Sequence, residues 1–451
     1  MPEPRGSGRL SIVIFVFSLL YAIGLQYLAR PYARDGIYFH TWSSEDMMQT
    51  VSLKELRHDP LDTLLHIHIQ PPAFDALRAL LAQLWPGISD QAALVQVDLA
   101  LYLLGSVMLG LITVIVFRWL WQQSGLEAAL LGSFLVLIHP ASIYFATYLD
   151  STLLSTLLIL LAFQMLWQLA ADHSASVLPL SAVVAALFFT RSIFQWPAVI
   201  LFAASLFLLR VPGRQVARFL LITGLCTGAY LAKQQALFGL LSTSSFAGVN
   251  LANSIGVGMS GANYADFLNE AGHQSHVDVS MPAVLTDKTK LNGEPNFNHI
   301  DYLYLNNQLL GRYRTELSRM SVGELAREYW ENTAIYFKPT STYSSGHVIV
   351  ERLPWRWIYD RVFSAPVLPV LLSLAVGIWC LSALSTGSFA KGLGLVLPAV
   401  FVLAVSILGD KGENMRFKFF LEPLMIVFLV SQSAAFTRLA RGWLGPGRPA
   451  G

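Results

Sequence analysis

Charge is what this sequence lacks. Only 13% of its 451 residues are Asp, Glu, Lys or Arg, roughly half of the ~25% usual in a soluble domain, so an ordinary water-solvated surface is excluded. Basic blocks are missing as well: 30 Lys and Arg stand against 28 Asp and Glu, and the net charge of +2 is spread thinly. Nothing interleaves aromatic with basic residues, which argues against a nucleic-acid partner. Cysteine is scarce. Cys226 and Cys380 both fall inside apolar runs and read as small packing residues, leaving no disulfide framework. No repeat of fixed period occurs, and the one low-complexity stretch is the carboxy-terminal GPGRPAG, read as a disordered tail.

What is present is apolar length, since 54% of the chain is hydrophobic. A hydrocarbon core of ~30 Å needs ~20 residues at ~1.5 Å of rise each. Apolar runs lie at about 10–29, 95–117, 126–147, 151–170, 175–190, 193–209, 217–237, 366–385, 392–409 and 419–437. The expected fold is therefore an all-α polytopic membrane protein of about ten transmembrane helices. Arg9 precedes a first run that is too long for the ~7 to 15 residues of a signal peptide and has no small-residue cleavage site, so it reads as a retained span. The fifth and sixth runs are short and flank Thr190 and Arg191, a pattern that also fits one hairpin with a polar tip.

Cytoplasmic loops are enriched in Lys and Arg. With the amino terminus inside, the inner loops hold Arg5 and Arg9, Arg118, the Arg210, Arg214 and Arg218 set, Lys391, and finally Arg438, Arg441 and Arg448. Two long segments are then expected outside, 30–94 and 238–365, facing away from the cytoplasm at the plasma membrane. The chain divides into a transmembrane core with its first outer loop (1–237), an outer loop domain (238–365), and carboxy-terminal spans with a short cytoplasmic tail (366–451). Within the first outer loop, 44–56 and 70–85 have helical apolar spacing without the length to span, and are expected to lie along the membrane surface.

Polar residues gather beside the expected outer ends of the spans: SSEDMMQ (43–49), HIHIQPP (66–72), HPASIYFATYLDST (139–152), TRSIFQW (190–196) and DKGENMRFKFFLEP (410–423). Charged groups near hydrocarbon are costly, so a set converging on one face suggests a site. Glu45 and Asp46 offer two carboxylates for general-base work; Asp46 is taken as the base and Ser44 or Glu45 as its support, with a helix cap near Met47 as the competing role. His66, His68 and Gln70 suit hydrogen bonding to sugar or phosphate. The two histidines also leave a divalent metal open as a cofactor, on a weak spacing signal. Pro71 and Pro72 fix where this polar stretch ends and a helix starts. Arg191, Lys233 and Arg416 sit at outer ends against the positive-inside trend, and a guanidinium fork binds phosphate bidentately. Lys418 is expected to pair with Glu422 four residues on, and Asp98 to reach the outer interface.

An acidic pair after the first span, followed some twenty residues later by His68-x-Gln70-Pro71-Pro72 and an amphipathic helix, resembles the GT-C glycosyltransferases. The pattern is most similar to the dolichyl-phosphate-mannose protein mannosyltransferases and the bacterial aminoarabinose transferase that modifies lipid A. The resemblance covers about the first 240 residues. It implies an acidic residue at the outer start of the fourth span, matched by Asp150, and a polyprenyl-phosphate-linked sugar as donor. It also implies inverting transfer to a glycan, lipid or protein hydroxyl. This chain reads Glu45-Asp46 where the family order is Asp-Glu, which leaves the base at either position. The segment SSFAGVN (244–250) and the Asn and Tyr cluster at 296–307 are candidates for acceptor recognition. The competing class is a lipid-linked sugar flippase or transporter, whose ionisable groups belong near the bilayer midplane on broken helices.

Overall fold

The computed structural model describes residues 7–29, 43–258, 281–344, 350, 353–385, 388–412 and 414–443. Arg5, Arg448 and the GPGRPAG tail lie outside them. The chain is all-helical, with no strand among the described residues. After α1 (Ser7–Ala29) come three short helices, α2 (Leu53–His58), α3 (Pro60–Leu65) and α4 (Ala73–Ala82). Then follow α5 (Asp90–Ser124), α6 (Leu126–Leu137), α7 (Pro140–Thr147), α8 (Thr152–Ala171), α9 (Leu178–Thr190), α10 (Trp196–Leu208) and α11 (Gly213–Phe238). The second connecting segment holds α12 (Ala247–Ser254), α13 (Ala283–Thr286), α14 (Ile300–Arg319), α15 (Val322–Tyr336), a 3-10 turn at Thr340–Ser344, and α16 (Arg356–Val362). The chain closes with α17 (Val367–Ser385), α18 (Phe389–Gly409), α19 (Asn414–Lys418) and α20 (Glu422–Trp443).

Each apolar run read from the sequence coincides with one of these helices or with a bent pair, but fewer than ten have the length and composition of a span. Five do, namely α1, α5, α8, α11 and α18, and the number rises to seven if the bent pairs α6–α7 and α16–α17 each count once. The breaks have local causes. Gly125 adopts a φ of 95° between α5 and α6, a conformation that L side chains rarely take. His139 caps α7 by accepting the Ala141 N–H, Pro140 opens the helix, and the α6–α7 pair bends by 53°. Helices α9 and α10 have 13 residues each, about 20 Å at ~1.5 Å per residue, which is short of a ~30 Å core. They form the expected hairpin, with Arg191 at its tip.

The main core fills the bundle with Phe117, Leu120, Leu160, Leu166, Phe188, Leu206 and Phe420. A second core has a different origin. Val51, Leu53, Leu56, Ile67, Phe74, Val97 and Tyr102 pack together with Val284, Leu285 and Phe297, so the two connecting segments share one apolar interior against the start of α5.

This packing alters two expectations. Residues 43–52 form turns instead of the first surface helix, which begins only at Leu53. The second surface helix exists as α4, and the face it buries against protein carries Asp75 and Arg78 beside Phe74, Ala79 and Ala82, while Leu80 is exposed on the other side. Both charges are fully enclosed and joined at 2.6 Å, as burial of ionised groups requires.

Candidate functional site

A cavity of about 330 Å³ lies where both connecting segments meet the ends of the bundle helices. Met47, Met48, Gln49 and Thr50 form one edge, and Gln70 and Phe74 follow at the start of α4. Tyr148, Asp150 and Ser151 come from the turn before α8, Arg191 from the α9–α10 tip, and Asp410, Lys411, Arg416 and Phe417 from the turn between α18 and α20. Phe246, Val249, Asn250 and Asn253 of α12 and its approach close the opposite side. That wall stands close because Gly248 lets α12 lie on α14: its N–H donates to Asn306 Oδ1 at 2.5 Å. Any Cβ at 248 would fall inside the envelope of the Asn306 carbonyl.

The charged centre is Asp150 with two arginines. Asp150 is fixed at the α8 start, accepting from the Thr152 N–H at 2.8 Å and the Thr152 hydroxyl at 2.7 Å. Arg191 Nη2 donates to Asp150 Oδ2 at 2.5 Å, and its Nη1 donates to Gln49 Oε1 at 2.9 Å. Arg416 Nη1 lies 3.9 Å from the same carboxylate oxygen, donates to the Tyr343 hydroxyl at 2.7 Å, and its guanidinium carbon sits 5.1 Å from that ring's centroid. Three chain segments that are remote in sequence thus bring one carboxylate and two guanidiniums to one cavity wall. Their side chains are only 6–10% exposed, and pairing is what makes such burial tolerable.

Glu45 and Asp46 have different surroundings. Glu45 is fully buried: one carboxylate oxygen accepts the Leu53 N–H, which caps α2, and the other accepts the Asn292 N–H at 3.0 Å. The cap expected near Met47 therefore falls on Leu53. Asp46 is half-buried and precedes Met47 of the cavity edge in sequence, but neither it nor Glu45 lines the cavity; it accepts from the Ser43 N–H at 2.8 Å and from Asn292 Nδ2 at 2.8 Å. Lys290 closes the turn from the second segment, donating to the Glu45 carbonyl at 2.9 Å and the Met47 carbonyl at 2.6 Å. Burial pushes its ammonium down to about 8. Asp98, expected at the interface, turns inward instead and accepts from the Ser43 hydroxyl at 2.6 Å and the Ser44 N–H at 3.1 Å. A carboxylate near hydrocarbon gains more from two protein donors than from reaching for water.

The remaining sequence candidates divide clearly. Gln70 lines the cavity and donates to Asp75 Oδ2 at 3.2 Å. His66 and His68 do not line it and take separate partners. His66 Nδ1 lies 2.9 Å from the Asp62 carbonyl, whereas His68 is buried with Nδ1 at 2.8 Å from the Ser245 hydroxyl. Burial lowers His68 to about 3, so it stays neutral and ties the two connecting segments together. Among the described residues no group of three or more His, Cys, Asp or Glu is placed to hold a metal ion. Lys233 also lies off the cavity, donating to the Leu65 and Ile67 carbonyls at 2.9 and 3.1 Å. Lys418 stands 3.6 Å from Glu422, the expected pair, and donates besides to the carbonyls of Lys338 and Phe363.

Of the acceptor candidates, 244–250 reaches the cavity through Phe246, Val249 and Asn250. Asn296 and Asn298 instead bind backbone carbonyls inside the second core. Sequence reasoning missed Gln49, Tyr343, Lys290 and Asn292. For Arg78 there was a signal: it interrupts the apolar stripe formed by Phe74 and Ala82 on α4. Tyr343 had none, because its role depends on Arg416, 73 residues away.

No family model matches this chain, and no curated protein is similar to it at a significant level.

Proposed function

We propose that this protein is a multi-pass glycosyltransferase of the plasma membrane, of the GT-C type with about ten spans. It takes a sugar from a polyprenyl-phosphate donor on the non-cytoplasmic face. The observation that carries this reading is the cavity that joins Arg191, Arg416 and Asp150 to the turn holding Asp46. Two guanidiniums at the ends of apolar helices suit a lipid phosphate, whose headgroup must stop at that depth. The aromatic faces of Tyr148, Tyr343 and Phe246 and the amides of Asn250 and Asn253 suit a sugar.

In the reaction, an acceptor hydroxyl oxygen attacks the anomeric carbon as its proton passes to the Asp46 carboxylate. The bond from that carbon to the phosphate oxygen breaks, and polyprenyl phosphate leaves with the electron pair beside Arg191 and Arg416. Asp46 is preferred over Glu45 because Glu45 is fully enclosed with both oxygens on backbone N–H groups, whereas Asp46, which accepts from the Ser43 N–H and Asn292 Nδ2, keeps part of its surface exposed. Asp150 is less suited to the role, since Arg191 and Thr152 hold its oxygens. Charges gathered at helix ends favour transfer over transport, for which midplane sites are the rule.

The decisive assay gives the purified protein a radiolabelled polyprenyl-phosphate sugar in vesicles. Label moving into a water-insoluble or glycan acceptor, with release of polyprenyl phosphate, is the expected result. Label that changes leaflet with its phosphate link intact would establish the flippase reading instead. The glycan and lipid profile of cells lacking the protein then names the acceptor.

A further inference from the structure

We infer that Asp150 sets the charge of this cavity so that it binds the phosphodiester donor in preference to the phosphomonoester product, and so promotes product release. The inference rests on the transferase reading and adds a step to it.

The charges lining the cavity are Arg191, Lys411 and Arg416 against Asp150 and Asp410, a balance of three minus two, or one net positive charge. Lys411 is engaged outward, with Glu328 and Glu331 both at 2.8 Å. That leaves the two arginines against Asp150 and Asp410, a balanced group in which Asp150 is joined to Arg191 at 2.5 Å. A sugar linked to a lipid by phosphate is a phosphodiester with a single negative charge, for which the two guanidiniums supply the donors. Transfer turns the phosphate into a monoester carrying about −1.5 to −2 at neutral pH.

The additional negative charge meets Asp150. That carboxylate cannot readily withdraw, because the Thr152 N–H and hydroxyl hold it at 2.8 and 2.7 Å and Arg191 holds it at 2.5 Å. Without Asp150 the same two arginines would offer one more unit of positive charge, which favours the dianionic product over the monoanionic donor. In a weakly solvated cavity, one unit of like charge within a few ångströms is worth about tenfold or more in affinity. Asp150 also orients Arg191. A purely orienting role would weaken both ligands alike when Asp150 is changed, whereas charge discrimination changes their ratio.

The test uses the full chain in lipid nanodiscs and two probes that need no knowledge of the sugar: a short-chain polyprenyl monophosphate and its methyl phosphodiester. Equilibrium binding of each is measured at neutral pH for wild type and Asp150→Asn. Wild type should bind the diester at least as tightly as the monoester, and Asp150→Asn should shift the ratio about tenfold toward the monoester. Product inhibition of turnover should rise in parallel. An unchanged ratio in a folded variant overturns the inference, and so does a wild type that prefers the monoester, a result that needs no variant at all. Wild type binding neither probe would defeat the transferase reading itself, which keeps the two failures apart.

Discussion

Replacing Lys290 with Met tests how the acidic turn is held. The Lys290 ammonium donates to the Glu45 and Met47 carbonyls and stands 3.4 Å from the Thr50 hydroxyl, so a residue of the second segment closes the turn that carries Asp46. Two opposing effects set the outcome. Burial lowers the ammonium from 10.5 to about 8, which is roughly 3 kcal/mol against the charged form, and Met removes that cost. Met also strands the Glu45 carbonyl, at about 1 to 3 kcal/mol, whereas the Met47 carbonyl keeps the Thr50 N–H and hydroxyl. Global stability near neutral pH should therefore stay level or rise by up to about 2 kcal/mol, while the turn itself loosens. The amides of Asp46 and Thr50, which donate to the carbonyls of Ser43 and Met47, should lose hydrogen-exchange protection, and sugar transfer should drop.

The pH dependence of Lys290 has a definite sign. Below about 8 the folded and unfolded states both hold the proton, and the burial cost is present in full. Between about 8 and 10.5 only the unfolded chain holds it, so stability rises with pH until the gain is complete. In paired melts, wild type should gain up to roughly 3 kcal/mol over Lys290→Met across that window. A constant difference between the two proteins, or unaltered protection at Asp46 and Thr50, would refute the clamp.

Asp46→Asn should cut transfer by ~10² to 10⁴ while donor binding survives, because the amide keeps the shape but accepts no proton. Glu45→Gln should act mainly on stability, since Glu45 serves the Leu53 and Asn292 N–H groups; an inactive but fully stable Glu45→Gln beside an active Asp46→Asn would reverse the assignment. Arg191→Ala and Arg416→Ala should each weaken binding of polyprenyl phosphate by about tenfold or more, with Lys restoring only part, as a point charge lacks the guanidinium fork; unchanged affinity in both would remove them from the phosphate role. Cysteine introduced at Asn292 should react with a membrane-impermeant reagent from the non-cytoplasmic side, and labelling only from the cytoplasm would place the site in the wrong compartment.

The helices were legible because apolar length needs only composition and local sequence. The 13-residue α9 and α10 were readable as a hairpin for the same reason, their runs being short and broken at Thr190 and Arg191. The turn at 43–52 was not legible. Its apolar spacing fits a helix, and what overrides that spacing is remote: Asp98 holds Ser43 and Ser44, Arg78 donates to Ser44, and Lys290 and Asn292 arrive from about 245 residues away. Charged residues marked the site at Asp150, Arg191 and Arg416 because charge near hydrocarbon is rare. The same rarity also marked His68 and Lys233, which the fold uses to bind the connecting segments to each other and to α11.

That shared signal has a physical origin. At the end of an apolar bundle every ionised or strongly polar group must find a partner, whether or not it takes part in chemistry, because an unpartnered one costs several kcal/mol. Composition therefore reports both kinds of residue with equal strength, and only the partners separate them. Glu45, Arg78, Asp98 and Lys418 direct their polar atoms at backbone or at fixed neighbours and are fully or nearly fully enclosed. Asp46 keeps part of its surface, and Asp150, Arg191 and Arg416 border the open cavity. The enclosed group supplies rigidity: it locks two segments that are hundreds of residues apart into one wall, so that the bordering group is held in place before a ligand arrives. A substitution in the enclosed group should therefore lower binding and turnover together through the fold. One in the bordering group should separate them, and that contrast is the sharpest way to tell support from chemistry in this protein.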